Sequence, residues 1–349
     1  MRARSINLVG TAILLASLAT GCTSLPTSAD ALWAPGASLG LVSGGGGKGD
    51  GEVVPVTGTT TALFQTDIGP IAWKGVQLAR LLPGSPKLCN APSDRYGRAI
   101  AIASDASVGW AAGAGIVRYE TGTWELEPTD LDDVLSPTKP LKDRVLLTDL
   151  SVASASAGFV GYAVGTKGAI LRYDAPQRQW TKVAVQAAAG KNLGSVKVLA
   201  ADDVWVAGEV VMHFDGKDWT AYPDLGIASG LAAPSSQNVW LSTAAGLYHF
   251  DADGWTLKFP SGNRTLGAPR IVAFGDTVVG MAVESGVPMG EVYTLTQTTW
   301  ALEPVAIPKD VALDTVVLAD AQTAYAKSYD NSGVWKYDLA KRAWSRFSD

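Results

Sequence analysis

The chain has 349 residues, 47% of them hydrophobic and 17% charged, with 28 Lys and Arg against 33 Asp and Glu. This acidic balance argues against a nucleic-acid binder, which needs basic surface to neutralise phosphates. Two cysteines and two histidines are too few for the usual thiolate or imidazole metal cages, so neither metal nor cofactor is expected.

The first residues give an address. Arg2 and Arg4 precede a charge-free run from Ser5 to Ala29, and Ile6 to Ala19 has the length of a secretory apolar core, short of the roughly 20 residues of a membrane span. Leu18-Ala19-Thr20-Gly21-Cys22 resembles the bacterial lipobox. The resemblance implies that residues 1–21 are a lipoprotein signal peptide, that Cys22 carries lipid, and that the mature chain is held to a membrane. Thr23, rather than Asp, after the cysteine implies the outer membrane by similarity to enteric lipoproteins, and with it a cell-envelope location. Loss of Arg2 and Arg4 leaves 26 basic residues against 33 acidic. With Cys22 lipidated, Cys89 has no disulfide partner and reads as a small buried hydrophobe.

Residues 22–50 are rich in Gly, Ser, Ala and Pro, a composition that cannot bury enough surface to offset ordering entropy, and read as a tether. The Gly44–Gly47 run lacks the Gly-Lys-Ser/Thr ending of a phosphate loop. Residues 51–95 read as a degenerate first blade. Its strands are EVVPV, TTALFQT and GPIAWKGV, with Trp73 as the register residue, and Gln77 to Asp94 is an insertion with one helical turn.

Residues 96–349 hold six clear repeats. A closing tryptophan recurs at Trp124, Trp180, Trp219, Trp255, Trp300 and Trp344, at a mean spacing of 44 residues. Between 14 and 19 residues before each stands Trp110, Tyr162, Trp205, Trp240, Met281 or Tyr325. Five or seven residues before each stands Tyr119, Tyr173, Phe214, Phe250, Tyr293 or Tyr337. A period of this length made of four short β-type segments predicts an all-β fold, a β-propeller of seven four-stranded blades, with six as the alternative. Small inner strands suit the crowded centre. The late tryptophans are expected to be the main wedges between blades, each burying about 150–250 Å2.

Alternating strand direction places the turns between strands one and two and between strands three and four on one face, and all other connections on the opposite face. The first collects acids, among them Glu120, Asp174, Asp202, Asp203, Asp215, Asp218, Asp251, Asp253, Asp320 and Asp338. Asp favours tight turns by bonding its own backbone; the rival reading is an acidic face for a cationic partner. The second face carries the longer loops, where recognition residues usually sit. Its candidate binding residues are Asp130, Asp132, Asp133, Lys139, Lys142, Arg144, Lys191 and Arg264. The three aspartates lack the Gly and closing Glu of an EF-hand loop. His213 and His249 share a repeat position with Arg118, Arg172 and Lys336, which predicts a solvated polar site rather than a base or ligand.

From Tyr96 to Asp349 the repeats resemble bacterial propellers of the BNR-like kind, including the photosystem II assembly factor family, whose blades place a G-W-x-V-G strand before a turn and a closing tryptophan. The resemblance implies the architecture. The family turn D-G-G-x-x-W is replaced here by ETGTW, DGKDW and DADGW, so the photosynthetic role is not carried over. Sialidase propellers carry the Asp box S-x-D-x-G-x-T-W, and no intact copy occurs here. The expected function is therefore non-enzymatic: a binding or assembly scaffold for an envelope protein or glycan. The alternative is a carbohydrate-active propeller, glycosidase or sialidase-like.

Overall fold

The period of the sequence becomes a series of small antiparallel sheets. A computed structural model describes residues 60–66, 69–74, 77–80, 87–90, 99–102, 108–120, 123–131, 144–155, 158–260, 271–274, 277–283, 290–295, 303–305, 311, 313–328 and 333–347. Within them each sheet has four strands paired in chain order. The strands are β1 Thr60–Thr66, β2 Gly69–Lys74, β3 Gln77–Arg80 and β4 Lys87–Asn90; then β5 Ala99–Ile102, β6 Gly109–Ala112, β7 Ile116–Glu120 and β8 Thr123–Leu126. The third sheet is β9 Leu147–Ala155, β10 Gly158–Gly165, β11 Ile170–Asp174 and β12 Gln179–Lys182; the fourth is β13 Leu193–Ala200, β14 Asp203–Gly208, β15 Val211–Phe214 and β16 Trp219–Tyr222. Then come β17 Ala228–Ser235, β18 Asn238–Thr243, β19 Gly246–Asp251 and β20 Gly254–Pro260, followed by β21 Ile271–Phe274, β22 Thr277–Val283, β23 Gly290–Leu295 and β24 Glu303–Val305. The last sheet is β25 Leu313–Asp320, β26 Thr323–Ser328, β27 Val334–Asp338 and β28 Ala343–Arg346. The fold is a β-propeller with blades of four antiparallel strands. Five blades are described in backbone and side chain, against the predicted seven or six; β1–β4 and β21–β24 are described chiefly as backbone.

The first strand of each sheet lies against the first strand of the next: β5 on β9, β9 on β13, β13 on β17, β17 on β21, β21 on β25, and β1 against both β25 and β5. Side chains stitch one of these boundaries, β9 on β13. Asp149 Oδ2 accepts from Val196 N at 2.7 Å, Ser151 Oγ accepts from Val198 N at 3.0 Å, and Thr148 Oγ1 donates to Leu193 O at 2.6 Å. Backbone groups that would otherwise stand at an open strand edge are thereby satisfied.

The aromatic triples meet across blade boundaries. Trp110 on β6 packs against Phe159 and Tyr173 of the next blade, with ring centres 5.5 and 5.4 Å apart. Tyr162 on β10 meets Phe214 and Trp219 at 6.5 and 6.1 Å, and Trp205 on β14 meets Phe250 and Trp255 at 4.8 and 5.7 Å. Tyr162 and Trp205 thus lean on the strand-three aromatic and closing tryptophan of the blade that follows, and Trp110 on the strand-two Phe159 and strand-three Tyr173 of its successor.

This shifts the wedge role. Trp110, Trp205 and Trp240 are completely buried, as are the closing residues Trp124 and Trp180, but Trp219, Trp255 and Trp344 are only half-buried. Trp219, Trp255 and Trp344 occupy outermost strands and are partly open to water, whereas Trp110, Trp205 and Trp240 on strand two are covered. Trp300 lies outside the described residues. Close packing also explains one glycine: a Cβ on Gly161 would stand 2.9 Å from the Trp180 ring and 3.3 Å from Tyr173 Cβ.

The first blade departs from the reading of residues 77–94 as an insertion with a helical turn. Gln77–Arg80 and Lys87–Asn90 are its third and fourth strands, and Trp73 lies on β2 opposite Ala62 and Leu78. Trp73 is therefore the counterpart of the strand-two aromatics, not of the closing tryptophans. Cys89 lies on β4. Residues 1–59, with the signal segment, Cys22, the tether and EVVPV, lie outside the described residues.

Candidate functional site

On the short-turn face the acids are occupied with local structure. Asp215 Oδ1 accepts from the amides of Lys217 and Asp218 at 3.0 and 2.8 Å, and Asp174, Asp251, Asp320 and Asp338 each accept from an amide two or three residues on. The Asp218 amide holds the Asp215 carboxyl below the usual range, and the Lys341 side chain does the same for Asp338. Glu120 bridges Arg118 at 3.2 Å and Arg178 at 2.9 Å, and Asp203 pairs with His213 at 2.9 Å. These are turn and strand-end bonds of the kind short acidic side chains form in any compact β-protein. Asp202 and Asp253 remain exposed.

Arg172 is exposed as the sequence suggested, but His213, His249 and Arg118 are not solvated positions. His213 stands directly across from Trp205 and stacks on it at 4.1 Å and 13°, His249 stacks on Trp240 at 4.4 Å, and the Arg118 guanidinium lies 5.7 Å from the Trp110 ring centre. His249 is buried and its Nε2 donates to Asn238 Oδ1 at 3.1 Å; that oxygen also accepts from Trp240 Nε1 at 2.8 Å. Burial holds the His249 imidazole below its ordinary value. Alternation along a strand cannot show that a cation will lie flat on its cross-strand neighbour, so the sequence concealed this.

On the opposite face the loops are zipped to one another. Thr166 N donates to Leu146 O at 2.9 Å, and Leu146 N donates to Thr166 Oγ1 at 3.0 Å. Gly168 N donates to Lys191 O at 2.5 Å, Glu209 N to Asn192 O at 2.8 Å, and Asn192 N to Glu209 Oε2 at 2.9 Å. Thr166 and Glu209 thus tie the strand-two-to-three loops of the β9–β12 and β13–β16 blades to the connections that enter those blades, and Gly168 ties the first of these loops to the connection into the next blade, making a ledge over the two. Lys191 is exposed on it, and Ile227 is 67% exposed.

The longest connection has its two described ends at opposite edges of one blade. It leaves alongside the outermost strand β12, where Trp180 N donates to Pro128 O at 3.0 Å and Asp130 N to Trp180 O at 3.2 Å, in parallel register with Thr129. It re-enters at the innermost strand β9 through half-buried Arg144. Exposed Asp130 and Arg144 therefore mark opposite ends of one blade, and Lys191 sits on the next connection. Asp132, Asp133, Lys139, Lys142 and Arg264 lie outside the described residues. Among the described residues no three of His, Cys, Asp and Glu converge as a metal site.

One functional candidate escaped the sequence. Glu127, at the start of the long connection, is 4% exposed, and its Oε2 accepts from Trp110 Nε1 at 3.1 Å and from Trp180 Nε1 at 2.7 Å. Burial pushes its carboxyl above the usual range, against the pull of the Trp180 and Trp110 indoles and of Arg118 and Arg178. The signal was slight: a single acid immediately after a closing strand.

No protein-family model and no curated protein matches the chain. Solved structures do. YCF48 from Cyanidioschyzon merolae aligns with a TM-score of 0.54 and 14% identity over 71% of this chain and 84% of that one. The fold is shared with these propellers. YCF48 bound to D1 peptide aligns at 0.50 and 13%, covering 69% and 77%. PorZ, an essential bacterial surface component of the type-IX secretion system of Porphyromonas gingivalis, aligns at 0.55 and 16% over 85% of this chain but 39% of its own. The chain thus spans about two-fifths of the length of PorZ. At these identities the likeness concerns architecture, and many unrelated activities share it.

Proposed function

We propose that this protein is a lipid-anchored propeller of the bacterial cell envelope that binds or assembles a protein or glycan partner through its long-loop face. The ring is read as seven blades, because β1–β4 and β21–β24 pair as complete four-stranded sheets and the inner strands follow one another back to β5. Anchoring is read from Cys22 and outer-membrane placement from Thr23.

The observation that carries the binding reading is the contrast between the faces. The acids of one face are largely spent in turns and ion pairs, whereas the other offers a rigid hydrogen-bonded ledge with exposed Lys191 and Ile227 and a long connection. Long loops on a rigid frame are where recognition is usually built. A peptide complex of YCF48 and the surface role of PorZ support a protein partner.

The protein is proposed to be non-enzymatic. Glu127 is the carboxyl pushed upward among the described residues, as a general acid requires, but it is buried and held by two indoles rather than open to solvent. The test is capture from detergent-solubilised envelopes with the full chain, compared with the same chain lacking residues 132–142. A partner retained by the first and lost by the second supports the reading; equal capture refutes it. Turnover of glycosides at useful rates would establish the carbohydrate-active alternative instead.

A further inference from the structure

We propose that Glu127 is a proton-controlled latch that fixes the root of the 131–143 connection across the seam between the β5–β8 and β9–β12 blades. Its regulatory meaning rests on the reading of that connection as a recognition element; the latch itself rests on the seam.

Glu127 stands where the chain leaves one blade for the next. Its amide donates to Ile116 O at 3.0 Å in the blade it leaves, and the following residues, Pro128 to Asp130, pair with the Trp180 backbone in the blade it joins. The side chain repeats the same bridge. One oxygen accepts hydrogen bonds from the indoles of Trp110 on β6 and Trp180 on β12, so a single carboxylate clips one tryptophan from each of two blades. Withdrawal of Glu127 would unclip both and free the backbone strap beside β12.

The charged and titratable groups around it come from three elements. From β7 come Arg118, whose Nε lies 3.8 Å from Glu127 Oε1, and Glu120. From β11 comes Tyr173, whose phenol is pushed up to about 12 first by burial and next by Glu127. Arg178, from the turn into β12, adds a more distant positive charge. Arg118 is divided between Glu127, Glu120 and the face of Trp110, so it only partly replaces the water lost by the carboxylate.

A carboxylate sealed from water and met by two neutral donors and a shared guanidinium is easier to protonate in place than in solvent. Opening the latch returns it to water and to the ordinary carboxylate range. Between those two values a proton favours the closed form, and the preference is lost as pH rises through the raised value. The described root, Glu127 to Asp130, is therefore held most firmly in mild acid and loosens toward neutrality.

Hydrogen exchange at the amides of Asp130 and Trp180 in the full-length protein tests this between pH 4.5 and 7.5. After correction for intrinsic exchange, the wild-type opening equilibrium should rise with pH by up to about tenfold per unit inside the titration window. Glu127→Gln keeps the shape and an acceptor oxygen, and its profile should be flat. Equal slopes in the two proteins, or protection that grows with pH in the wild type, would overturn the latch. Should the variant fold poorly, the indole Nε1 resonances of Trp110 and Trp180 in wild type carry the same test, and resonances that do not titrate across this range reject it. A latch that titrates while partner capture ignores both pH and Glu127→Gln would sink the recognition role of the connection and leave the latch standing.

Discussion

Trp205 lies 4.8 Å, ring centre to ring centre, from Phe250 of the following blade, and the same indole stacks on His213 of its own. It is wholly buried, whereas Trp219 is only half-buried. Trp205→Ala should therefore cost about 3–5 kcal/mol, and Trp219→Ala distinctly less. Denaturant titration of the two variants measures the difference; equal costs would return the wedge role to the closing tryptophan.

Gly161 has no room for a methyl group between the Trp180 ring and Tyr173. Gly161→Ala should destabilise by about 1–3 kcal/mol, the usual range for overpacking. A melting temperature unchanged from wild type would show that the Trp180 ring moves aside freely.

His249 supplies a pH dependence of opposite sense to that of Glu127. Burial depresses the folded imidazole below its unfolded value near 6.5, so the unfolded chain binds the proton more tightly. The stability contributed by neutral His249 is present above the unfolded value and is lost as pH falls toward the folded one, by at most about 1.4 kcal/mol per unit. His249→Gln should flatten that part of the stability profile. Identical profiles for wild type and variant between pH 5 and 7 would reject the assignment.

Charge reversal separates the two faces. Asp202→Lys with Asp253→Lys alters two exposed acids without breaking the Asp203–His213 pair, and should leave partner capture intact. If capture is instead lost, and falls steeply with salt as exposed charges are screened beyond about 8–10 Å, the interface belongs to the acidic face.

The lipid anchor is tested in cells. Cys22→Ser should move the protein from the membrane fraction to the soluble one and abolish labelling by a palmitate analogue. A variant that sediments like a wild type lacking any label would remove the lipobox reading.

The blade plan was legible because Trp205, Phe214 and Trp219 stand at spacings that recur along the sequence, as Trp240, Phe250 and Trp255 do in the next repeat. Which aromatic is most deeply covered was not legible, since spacing orders strands along the chain without showing which ones lie between neighbours. The first blade was half read: Gln77–Arg80 and Lys87–Asn90 carry no aromatic and no closing tryptophan, so nothing local marked them as strands. The stacking of His249 on Trp240 depends on cross-strand register, which the sequence supplies only after the strands are paired. Of the candidate site, Asp130, Arg144 and Lys191 could be located on the loop face, but Glu127 was passed over because a lone acid at a loop boundary looks like a solvated one.

The contacts that Trp110, Tyr162 and Trp205 make across blade boundaries all run the same way, from a blade to its successor in the chain, like tiles laid in one direction. During synthesis, a polypeptide that has emerged only as far as Tyr222 holds Trp205 with its cover still inside the ribosome, while Tyr162 has already received Phe214 and Trp219. The growing protein thus carries one uncovered aromatic at its leading boundary at any moment, and each new blade shelters the last.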